Sequence, residues 1–334
     1  MTERKILYLP PASLSQDILS PKAVETLEKL GTVIWNELDR NYTADELLEL
    51  ISGTEVVISS WGSPNVTAKH VAAAPELKIV GHAAGSVKKR LDPVAHQGGV
   101  LLLSASDMIA EAVSEYTLWA MLSGRRSLFR YDKLMKMERY WKTADEFYGH
   151  LLTGAKVGIV SASMVARRVI NLLKPFNCDI IVYDPYLSAD AAQELGVRTV
   201  SLEAVFTEAN IISIHAPSTP ETKGMITAAH FQSIPDDTLL INTARTWVLD
   251  QDALLTELQR ERFYAIIDVF EPEPLPAEHP IRNLDNVYLT PHVSGHSIET
   301  RLKLVEAIAY DVERFYNGQP PKLAVSYDRL KIMA

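Results

Sequence analysis

Short apolar runs rich in branched residues alternate along this chain with longer stretches of helical period. A first set of five runs lies at residues 6–9, 33–35, 56–59, 77–80 and 100–103, and a second set of six at residues 157–160, 180–183, 211–215, 239–242, 264–269 and 287–289. Such alternation is typical of parallel sheets covered by helices. The pattern therefore predicts an α/β protein with a five-stranded unit and a larger, doubly wound unit of six strands.

Two long helical stretches flank the second set of runs. Residues 108–131 carry Ala, Leu and Met at three- and four-residue steps without an internal proline, and residues 297–316 show a similar pattern. We expect both helices to cross between domains, which returns the C-terminal tail to the first domain. The predicted domains are residues 1–105 with 297–334, discontinuous in sequence, and residues 106–296.

Length and charge narrow the classes of function. The 334 residues exceed the size at which a single hydrophobic core keeps growing, which agrees with two domains. The net charge of −9 argues against a nucleic-acid backbone or an anionic membrane as the main partner. The apolar stretches are far shorter than the roughly 20 residues of a membrane helix, and residues 1–5 lack a secretory pattern. We therefore expect a cytoplasmic protein that binds neither nucleic acid nor membrane.

The distribution of histidines gives little support to a metal site. Apart from His292 and His296, the histidines are scattered and not paired at ligand spacing, and two histidines without a third ligand make a weak site. The sequence also lacks the Gly-x-Ser-x-Gly motif of serine hydrolases. We therefore expect no metal centre and no serine hydrolysis.

Eight short segments occur in an order that resembles one enzyme family. They are LKIVG at 77–81, AVSE at 112–115, VGIV at 157–160, YDPY at 183–186, HAP at 215–217, INTAR at 241–245, DVF at 268–270 with EP at 273–274, and TPH at 290–292. Together they resemble the D-isomer-specific 2-hydroxyacid dehydrogenases, the group that includes phosphoglycerate, formate and glyoxylate/hydroxypyruvate dehydrogenases, over nearly the full chain. The resemblance implies two Rossmann-like domains, a flavodoxin-like substrate domain and an NAD-binding domain, and a homodimer formed through the latter.

Three residues in these segments offer the chemistry that oxidation of a 2-hydroxy acid requires. A base must take the hydroxyl proton as hydride moves to nicotinamide, while a cation holds the carboxylate and carbonyl. The resemblance implies that His292 is the acid/base and that Arg245 orients the substrate and polarises its carbonyl. It also implies that Glu273 hydrogen-bonds the imidazole, which fixes the tautomer and favours the imidazolium. Taken alone, the three residues also fit a loop histidine, a surface ion pair and a solvated acidic loop.

The stretch that should bind the dinucleotide phosphates has lost its glycines. Ser161, Ser163 and Ala166 stand where such a loop carries glycine for a tight turn, for close approach of the pyrophosphate and for helix–strand packing. A serine hydroxyl can donate to a phosphate oxygen, and the helix N-terminus keeps its amides, which Met164 and Val165 would supply. We therefore predict weakened NAD binding and not its abolition.

The remaining candidate cofactor residues are of the types that the family uses. Asp184 ends the second strand of the larger unit, where a carboxylate bonds the adenosine ribose and repels a 2′-phosphate, which favours NAD over NADP. A simple Asp-Pro turn is the alternative interpretation. The resemblance places Asp268 near the nicotinamide amide and lines the same cleft with Thr243, Ala216 and Pro217.

A glycine-containing loop follows the fourth predicted strand. The family holds the substrate carboxylate with backbone amides of this loop, and Gly85 and Ser86 are the matching candidates. Lys88, Lys89 and Arg90 follow directly. They form either a site for a second anionic group such as phosphate or a solvated basic turn, and the second interpretation is favoured.

Two further departures from the family pattern follow Arg245. The family usually has glycine and a small residue where this chain has Thr246 and Trp247. If position 246 requires a positive φ, threonine is strained there, because a branched residue resists that conformation. Trp247 is expected to narrow the substrate or cofactor cleft.

Two hypotheses from different classes of function follow. The first is an NAD-dependent oxidoreductase that interconverts a small D-2-hydroxy acid and its 2-oxo acid. The second is a catalytically silent relative that binds a metabolite or a protein partner and regulates or scaffolds, since a fold can outlive its chemistry. The altered phosphate loop and Thr246 are the features that support the second hypothesis, so NADH binding is the measurement that separates the two.

Overall fold

The computed structural model describes residues 4–138, 141 and 149–333. The chain divides into two compact units, one comprising Met1–Ile109 and His296–Ala334 and the other Ala110–Gly295. Residues 1–3, which belong to the start that lacks a secretory pattern, lie outside the described residues. Within the described ranges, no helix is both long enough and apolar enough to cross a membrane.

The first unit is built on a parallel five-stranded sheet. Its strands are β1 (Lys5–Tyr8), β2 (Thr32–Ile34), β3 (Thr54–Ser59), β4 (Ile79–His82) and β5 (Leu101–Ser104). Their order, β2-β1-β3-β4-β5, is that of a flavodoxin-like sheet, as predicted. The helices are α1 (Ala12–Ile18), α2 (Pro21–Leu30), α3 (Ala44–Leu50), α4 (Ala68–Ala73), α5 (Pro93–Gln97), the start of α6 (Ser106–Arg125), and after the second unit α13 (Ile298–Tyr316) and α14 (Tyr327–Ile332).

Both faces of this sheet are covered, which explains why its strands read as continuous apolar runs. Ile6 and Ile58 pack into one buried cluster, whereas Leu7 and Val57 pack into another on the opposite face. Helix α13 belongs to the first of these clusters and approaches β4 closely at Gly81. A Cβ atom at Gly81 would collide with the side chain of Ile308, so glycine is required for this packing.

The second unit is built on a parallel seven-stranded sheet. Its strands are β6 (Lys156–Val160), β7 (Asp179–Tyr183), β8 (Arg198–Thr199), β9 (Ile211–Ile214), β10 (Leu239–Asn242), β11 (Tyr264–Ile267) and β12 (Val287–Leu289). Their order is β12-β11-β10-β9-β6-β7-β8. The helices are the rest of α6, then α7 (Leu128–Lys133), α8 (Met164–Leu173), α9 (Ala189–Leu195), α10 (Leu202–Glu208), α11 (Ala228–Ser233) and α12 (Gln251–Leu258), with a π-helical turn at Leu134–Glu138 and 3₁₀ turns at Lys174–Phe176, Thr246–Val248 and Pro280–Asn283.

Two features of the second unit differ from the prediction. The edge strand β8 was missed because it is only two residues long and both of its residues are exposed, so it carries no apolar run. The predicted helix 108–131 is two helices, since α6 ends at Arg125 and Ser127 adopts a left-handed conformation with φ of 51° before α7 begins. The apolar period continues across this break at Leu128, which is why the pattern concealed it.

The strand order of the second unit reverses between β9 and β6. In open parallel sheets, ligands bind outside the carboxyl ends of the strands at such a switch point. All strands of the sheet are parallel, so the loops that follow them emerge at one edge. These are the loops that carry the predicted cofactor and catalytic residues of the second unit.

Candidate active site

Glu273 and His292 meet at the carboxyl edge of the seven-stranded sheet. His292 Nδ1 lies 2.8 Å from Glu273 Oε2 and 3.1 Å from Oε1. The backbone amide of Phe270 donates to Oε1 at 2.9 Å and so holds the carboxylate in place. A carboxylate accepts and does not donate, so Nδ1 of the imidazole is the donor and Nε2 is left for a substrate.

The environment of Glu273 favours its ionised form. Partial burial alone would raise the pKa of this carboxyl, whereas the hydrogen bonds from His292 and from the Phe270 amide lower it. The positive charges of His292 and Arg245 act in the same direction as these hydrogen bonds, and the net pKa of Glu273 is lowered. The pair therefore combines a fixed anion with an imidazole whose second nitrogen takes no part in the contact with Glu273.

Arg245 lies in the loop after β10, and the side chain of Asn242 shapes that loop. Asn242 Oδ1 accepts from the amide of Ala244 at 3.1 Å, and its Nδ2 donates to the carbonyl oxygen of Arg245 at 3.3 Å. Burial lowers the pKa of the Arg245 guanidinium, while the charge of Glu273 acts in the opposite direction. The guanidinium, an obligate cation, thus lies within electrostatic reach of the Glu273–His292 pair.

Residues 290–294, the catalytic turn, carry His292 in a left-handed conformation with φ of 55°. Asp268, fully buried, accepts from Thr290 Oγ1 at 2.6 Å and from the amide of Val293 at 2.8 Å on one oxygen. Its other oxygen accepts from the amide of Ser294 at 2.9 Å. The hydrogen bonds of Asp268 therefore tie down both sides of His292.

The altered phosphate loop keeps the backbone of a dinucleotide-binding turn. Ser161 adopts φ of 74°, the left-handed conformation that suits glycine at the first position of such a loop. Ser163 is the N-cap of α8, with its side chain accepting from the amide of Ala166 at 3.4 Å. The first amides of α8, those of Met164 and Val165, have no partner within the helix. These donors fit the pyrophosphate of NAD.

Asp184 follows β7 and is held by the same loop. One carboxylate oxygen accepts from the amide of Ala162 at 2.7 Å and from Ser161 Oγ at 3.2 Å. The other oxygen accepts from the amide of Tyr186 at 2.8 Å. The carboxylate therefore stands fixed beside the phosphate loop, where an adenosine ribose would meet it.

The other predicted cleft residues of the second unit follow β9 and β10. Ala216 is buried, the carbonyl of Pro217 accepts from Thr222 Oγ1 at 2.6 Å, and Thr243 is buried beside Thr117. His215, at the same edge, is buried, and burial lowers its pKa to about 4. It therefore stays neutral near pH 7.

Trp247 and Thr246 occupy a 3₁₀ turn directly after Arg245. The indole Nε1 donates to the carbonyl of Thr219 at 2.8 Å, which joins the loops after β9 and β10. Lys223 Nζ lies 4.8 Å from the centre of the indole ring. Thr246 is not among the described residues with positive φ, so the strain that a branched residue would suffer there does not arise.

Gly85 and Ser86 lie in the first unit, in the loop after β4. The basic run beyond them is not uniformly solvated, which corrects part of the turn interpretation. Lys89 is exposed, but Arg90 is half-buried and donates to the carbonyl of Ser63 at 2.9 Å. Burial lowers the pKa of Arg90. Arg90 therefore fastens one loop of its own unit to another.

Sequence reasoning missed the residues that support the site. Thr290 was noted only as part of the Thr-Pro-His segment, and its bond to Asp268 links positions 22 residues apart. Tyr116, whose hydroxyl lies 2.6 Å from Thr290 Oγ1, had no signal beyond its place in a helical pattern. Among the described residues, no group of three His, Cys, Asp or Glu side chains could hold a metal ion.

Comparison with known proteins shows which family this chain matches. Residues 118–294 match the NAD binding domain of the D-isomer specific 2-hydroxyacid dehydrogenases. The chain is 28% identical over 309 residues to D-3-phosphoglycerate dehydrogenase of Archaeoglobus fulgidus, a match that covers 92% of this chain and 58% of that protein. It is 27% identical over 327 residues to glyoxylate reductase of Thermofilum pendens, with 97% and 96% covered. The chain thus spans little more than half the length of the first relative.

Solved structures share the fold. The apo form of D-mandelate dehydrogenase from Rhodotorula graminis aligns with a TM-score of 0.80 at 22% sequence identity, covering 97% of each chain. This likeness extends over both α/β units. At this level of identity, it concerns the fold and not the substrate.

Proposed function

Because the chain belongs to the D-isomer specific 2-hydroxyacid dehydrogenase family, we propose that it is an NAD-dependent oxidoreductase acting on a small D-2-hydroxy acid. The observation that carries this proposal is the Glu273–His292 pair, 2.8 Å apart and within electrostatic reach of Arg245. We assign residues 1–105 and 297–334 to the substrate domain and residues 106–296 to the NAD-binding domain.

The three residues divide the work of 2-oxo acid reduction. Arg245 binds the substrate carboxylate and polarises the carbonyl that is reduced. His292 gives its Nε2 proton to the carbonyl oxygen and becomes neutral, while Glu273 keeps the ring oriented and stabilises its charged form. When bound, reduced NAD supplies the hydride that the carbonyl carbon receives. In the reverse direction, neutral His292 takes the hydroxyl proton.

Residues at the edge of the second unit would hold the cofactor. We assign the pyrophosphate to the amides of Met164 and Val165, in the loop that Ser161 and Ser163 form. Asp184 would bond the ribose hydroxyls and, as an anion, repel a 2′-phosphate, which favours NAD. Three further residues, Ala216, Pro217 and Thr243, would line the nicotinamide side, with Asp268 near the amide.

The substrate and the assembly are the finer parts of the proposal. In the first unit, we assign the backbone amides of Gly85 and Ser86 to the substrate carboxylate, as the family resemblance implies. We further propose a homodimer formed through the NAD-binding domain and a cytoplasmic location. Exposed apolar side chains on the second unit, Trp119, Leu128 and Leu151, support a self-association surface.

The test combines cofactor binding with turnover. The purified protein is titrated with NADH, following tryptophan fluorescence, and then given NADH with a panel of small 2-oxo acids. We expect saturable binding, oxidation of NADH with at least one 2-oxo acid, and weaker binding of NADPH. Binding without turnover across the panel would favour the catalytically silent alternative, and a folded protein that binds no NADH would exclude the dehydrogenase.

A further inference from the structure

A chain of hydrogen-bonded side chains reaches the catalytic turn from helix α6. We propose that Thr290 and Tyr116 are positioning residues, which act through Asp268 to hold His292 in its reactive orientation. This proposal rests on the proposed function, because it concerns the same histidine. It assigns a role to two side chains that touch neither the imidazole nor its Glu273 partner.

The direction of the hydrogen bonds can be deduced from the chemistry of the groups. Thr290 Oγ1 lies 2.6 Å from Asp268 Oδ1 and 2.6 Å from the hydroxyl oxygen of Tyr116. A carboxylate only accepts, so the single hydroxyl proton of Thr290 goes to Asp268. Tyr116 must then donate its proton to Thr290 Oγ1. The three groups form a directed chain that ends on a buried carboxylate.

Asp268 is the point at which this chain acts on the backbone of the turn. Its two oxygens accept from the amides of Val293 and Ser294, directly after His292 in sequence. Thr290 lies before His292 and binds the same carboxylate through its side chain. Its own amide also donates to the carbonyl of Ile267 at 3.0 Å. One carboxylate thus holds both flanks of a residue whose φ is 55°.

A left-handed conformation at a non-glycine residue persists only where its surroundings determine it. If Thr290 lost its hydroxyl, Asp268 Oδ1 would keep the Val293 amide but lose its other donor. The phenol of Tyr116 would lose its acceptor while its ring stayed packed against Trp119, with ring centres 5.0 Å apart. The N-terminal flank of His292 would then keep only backbone hydrogen bonds, such as that from the Thr290 amide to Ile267, and Nδ1 would be aimed less firmly at Glu273.

The experiment compares Thr290→Val, which keeps the branched shape, with Thr290→Ser, which keeps the hydroxyl. We expect Thr290→Val to lower kcat for 2-oxo acid reduction by about tenfold with a much smaller change in KM, because displacing a catalytic group affects the reacting geometry most. Thr290→Ser should restore most of the rate. The imidazole nitrogen resonances of His292, observed by NMR, should move in Thr290→Val and stay near wild type in Thr290→Ser.

Tyr116→Phe provides a second variant should Thr290→Val fail to fold, and Ser123→Ala is the matched control. Tyr116→Phe leaves the Thr290–Asp268 bond intact, so we expect a shift of the same resonances that is smaller than in Thr290→Val. Ser123 lies on the same helix but donates to the carbonyl of Trp119 at 2.7 Å within that helix, and its loss should leave the resonances unchanged.

Two results would overturn the positioning role. One is a folded Thr290→Val protein with wild-type kcat and unchanged His292 resonances, and the other is Thr290→Ser as damaged as Thr290→Val. The resonances are measured without substrate. Absence of turnover in the wild-type protein would therefore count against the proposed function, while the NMR comparison would still decide the positioning proposal.

Discussion

The catalytic turn and the phosphate loop both hold a non-glycine residue in left-handed backbone, but the two regions treat it differently. His292, with φ of 55°, is itself the proposed catalytic group, and Asp268 fixes its flanks with three hydrogen bonds. Ser161, with φ of 74°, stands where a glycine would adopt this conformation without cost, and its hydroxyl binds Asp184. In the first region the residue with positive φ carries the side chain that we propose as the acid/base. In the second region such a residue stands where the family pattern has glycine, which has no side chain.

Because of this difference, catalysis at the catalytic turn and cofactor binding at the phosphate loop can be lost independently of each other. The catalytic turn contains His292, which is paired with Glu273 and supported by the buried Asp268, so the side chains that the proposed chemistry needs are all present. The phosphate loop depends on backbone amides and on space for the pyrophosphate, and each substitution there adds atoms to that space. Changes in the turn should therefore reduce kcat, and changes in the loop should alter cofactor affinity or stability.

The largest expected effect is that of His292→Ala. Without the acid/base, kcat for 2-oxo acid reduction should fall by roughly 10² to 10⁴, the usual contribution of a positioned general acid. NADH affinity, measured by fluorescence titration, should stay close to wild type because the phosphate loop is untouched. The control is His279→Ala, which removes a histidine whose ring accepts from the amide of Ile281 in its own 3₁₀ turn. Unchanged turnover in His292→Ala would remove this residue from the mechanism.

The second-largest effect is expected from Glu273→Gln, which should change how kcat/KM depends on pH. Because the pKa of Glu273 is lowered, this carboxylate remains ionised at a more acidic pH than an ordinary glutamate, and its support of the imidazolium is lost only as the pH falls through that lowered value. Glutamine removes the anion at every pH. We therefore expect kcat/KM for reduction to be roughly tenfold lower than wild type near neutrality, and this difference to shrink as the pH falls through the lowered pKa of Glu273. A difference that is the same at every pH would contradict the electrostatic role of Glu273.

A smaller effect is expected from Ser163→Gly, which changes the phosphate loop and should alter NADH affinity. It removes a side chain from the second glycine position, where the pyrophosphate approaches the backbone, so we expect NADH affinity to rise by about fivefold with kcat unchanged. Glycine is nearly as good an N-cap as serine, which limits the cost to α8 to a few tenths of a kcal/mol. Weaker NADH binding in this variant would instead show that the Ser163 hydroxyl serves as a phosphate donor.

Some features of the fold and of the candidate site could be predicted from the sequence, and others could not. The strands other than β8 were predictable because they coincide with apolar runs, whereas the two exposed residues of β8 form no such run. The alternation of these runs with helical stretches predicted the α/β class, and the family resemblance supplied the flavodoxin-like architecture. The break between α6 and α7 at Ser127 was not predictable, because a single left-handed residue leaves the apolar period intact. The Glu273–His292 contact came from family resemblance, since a pairing across 19 residues leaves no local pattern. The role of Asp268 in the catalytic turn depends on tertiary hydrogen bonds that no sequence period encodes.

A comparison of Ser161→Ala with Ser161→Gly separates strain from hydrogen bonding in the phosphate loop. Alanine keeps the unfavourable φ and loses the bond to Asp184, so we expect the free energy of unfolding to fall by about 1 kcal/mol. Glycine loses the same bond but relieves a strain of roughly 1 kcal/mol, so its stability should stay near wild type. Denaturant unfolding of the two variants measures the difference. Equal stability of both variants would mean that the loop relaxes when Ser161 is replaced.

The smallest expected effect is that of Thr246→Gly, although this position lies beside Arg245 and departs from the family pattern. Thr246 begins a 3₁₀ turn and lacks the positive φ that would make glycine necessary, so restoring glycine relieves no strain. The expected cost is up to about 1 kcal/mol of stability from added backbone freedom in the unfolded chain, with kcat and NADH affinity within about twofold of wild type. A large gain in kcat would instead show that the Thr246 side chain obstructs the site beside Arg245. If kcat and NADH affinity stay within about twofold of wild type, the departures from the family pattern that affect function lie in the phosphate loop and not at Thr246.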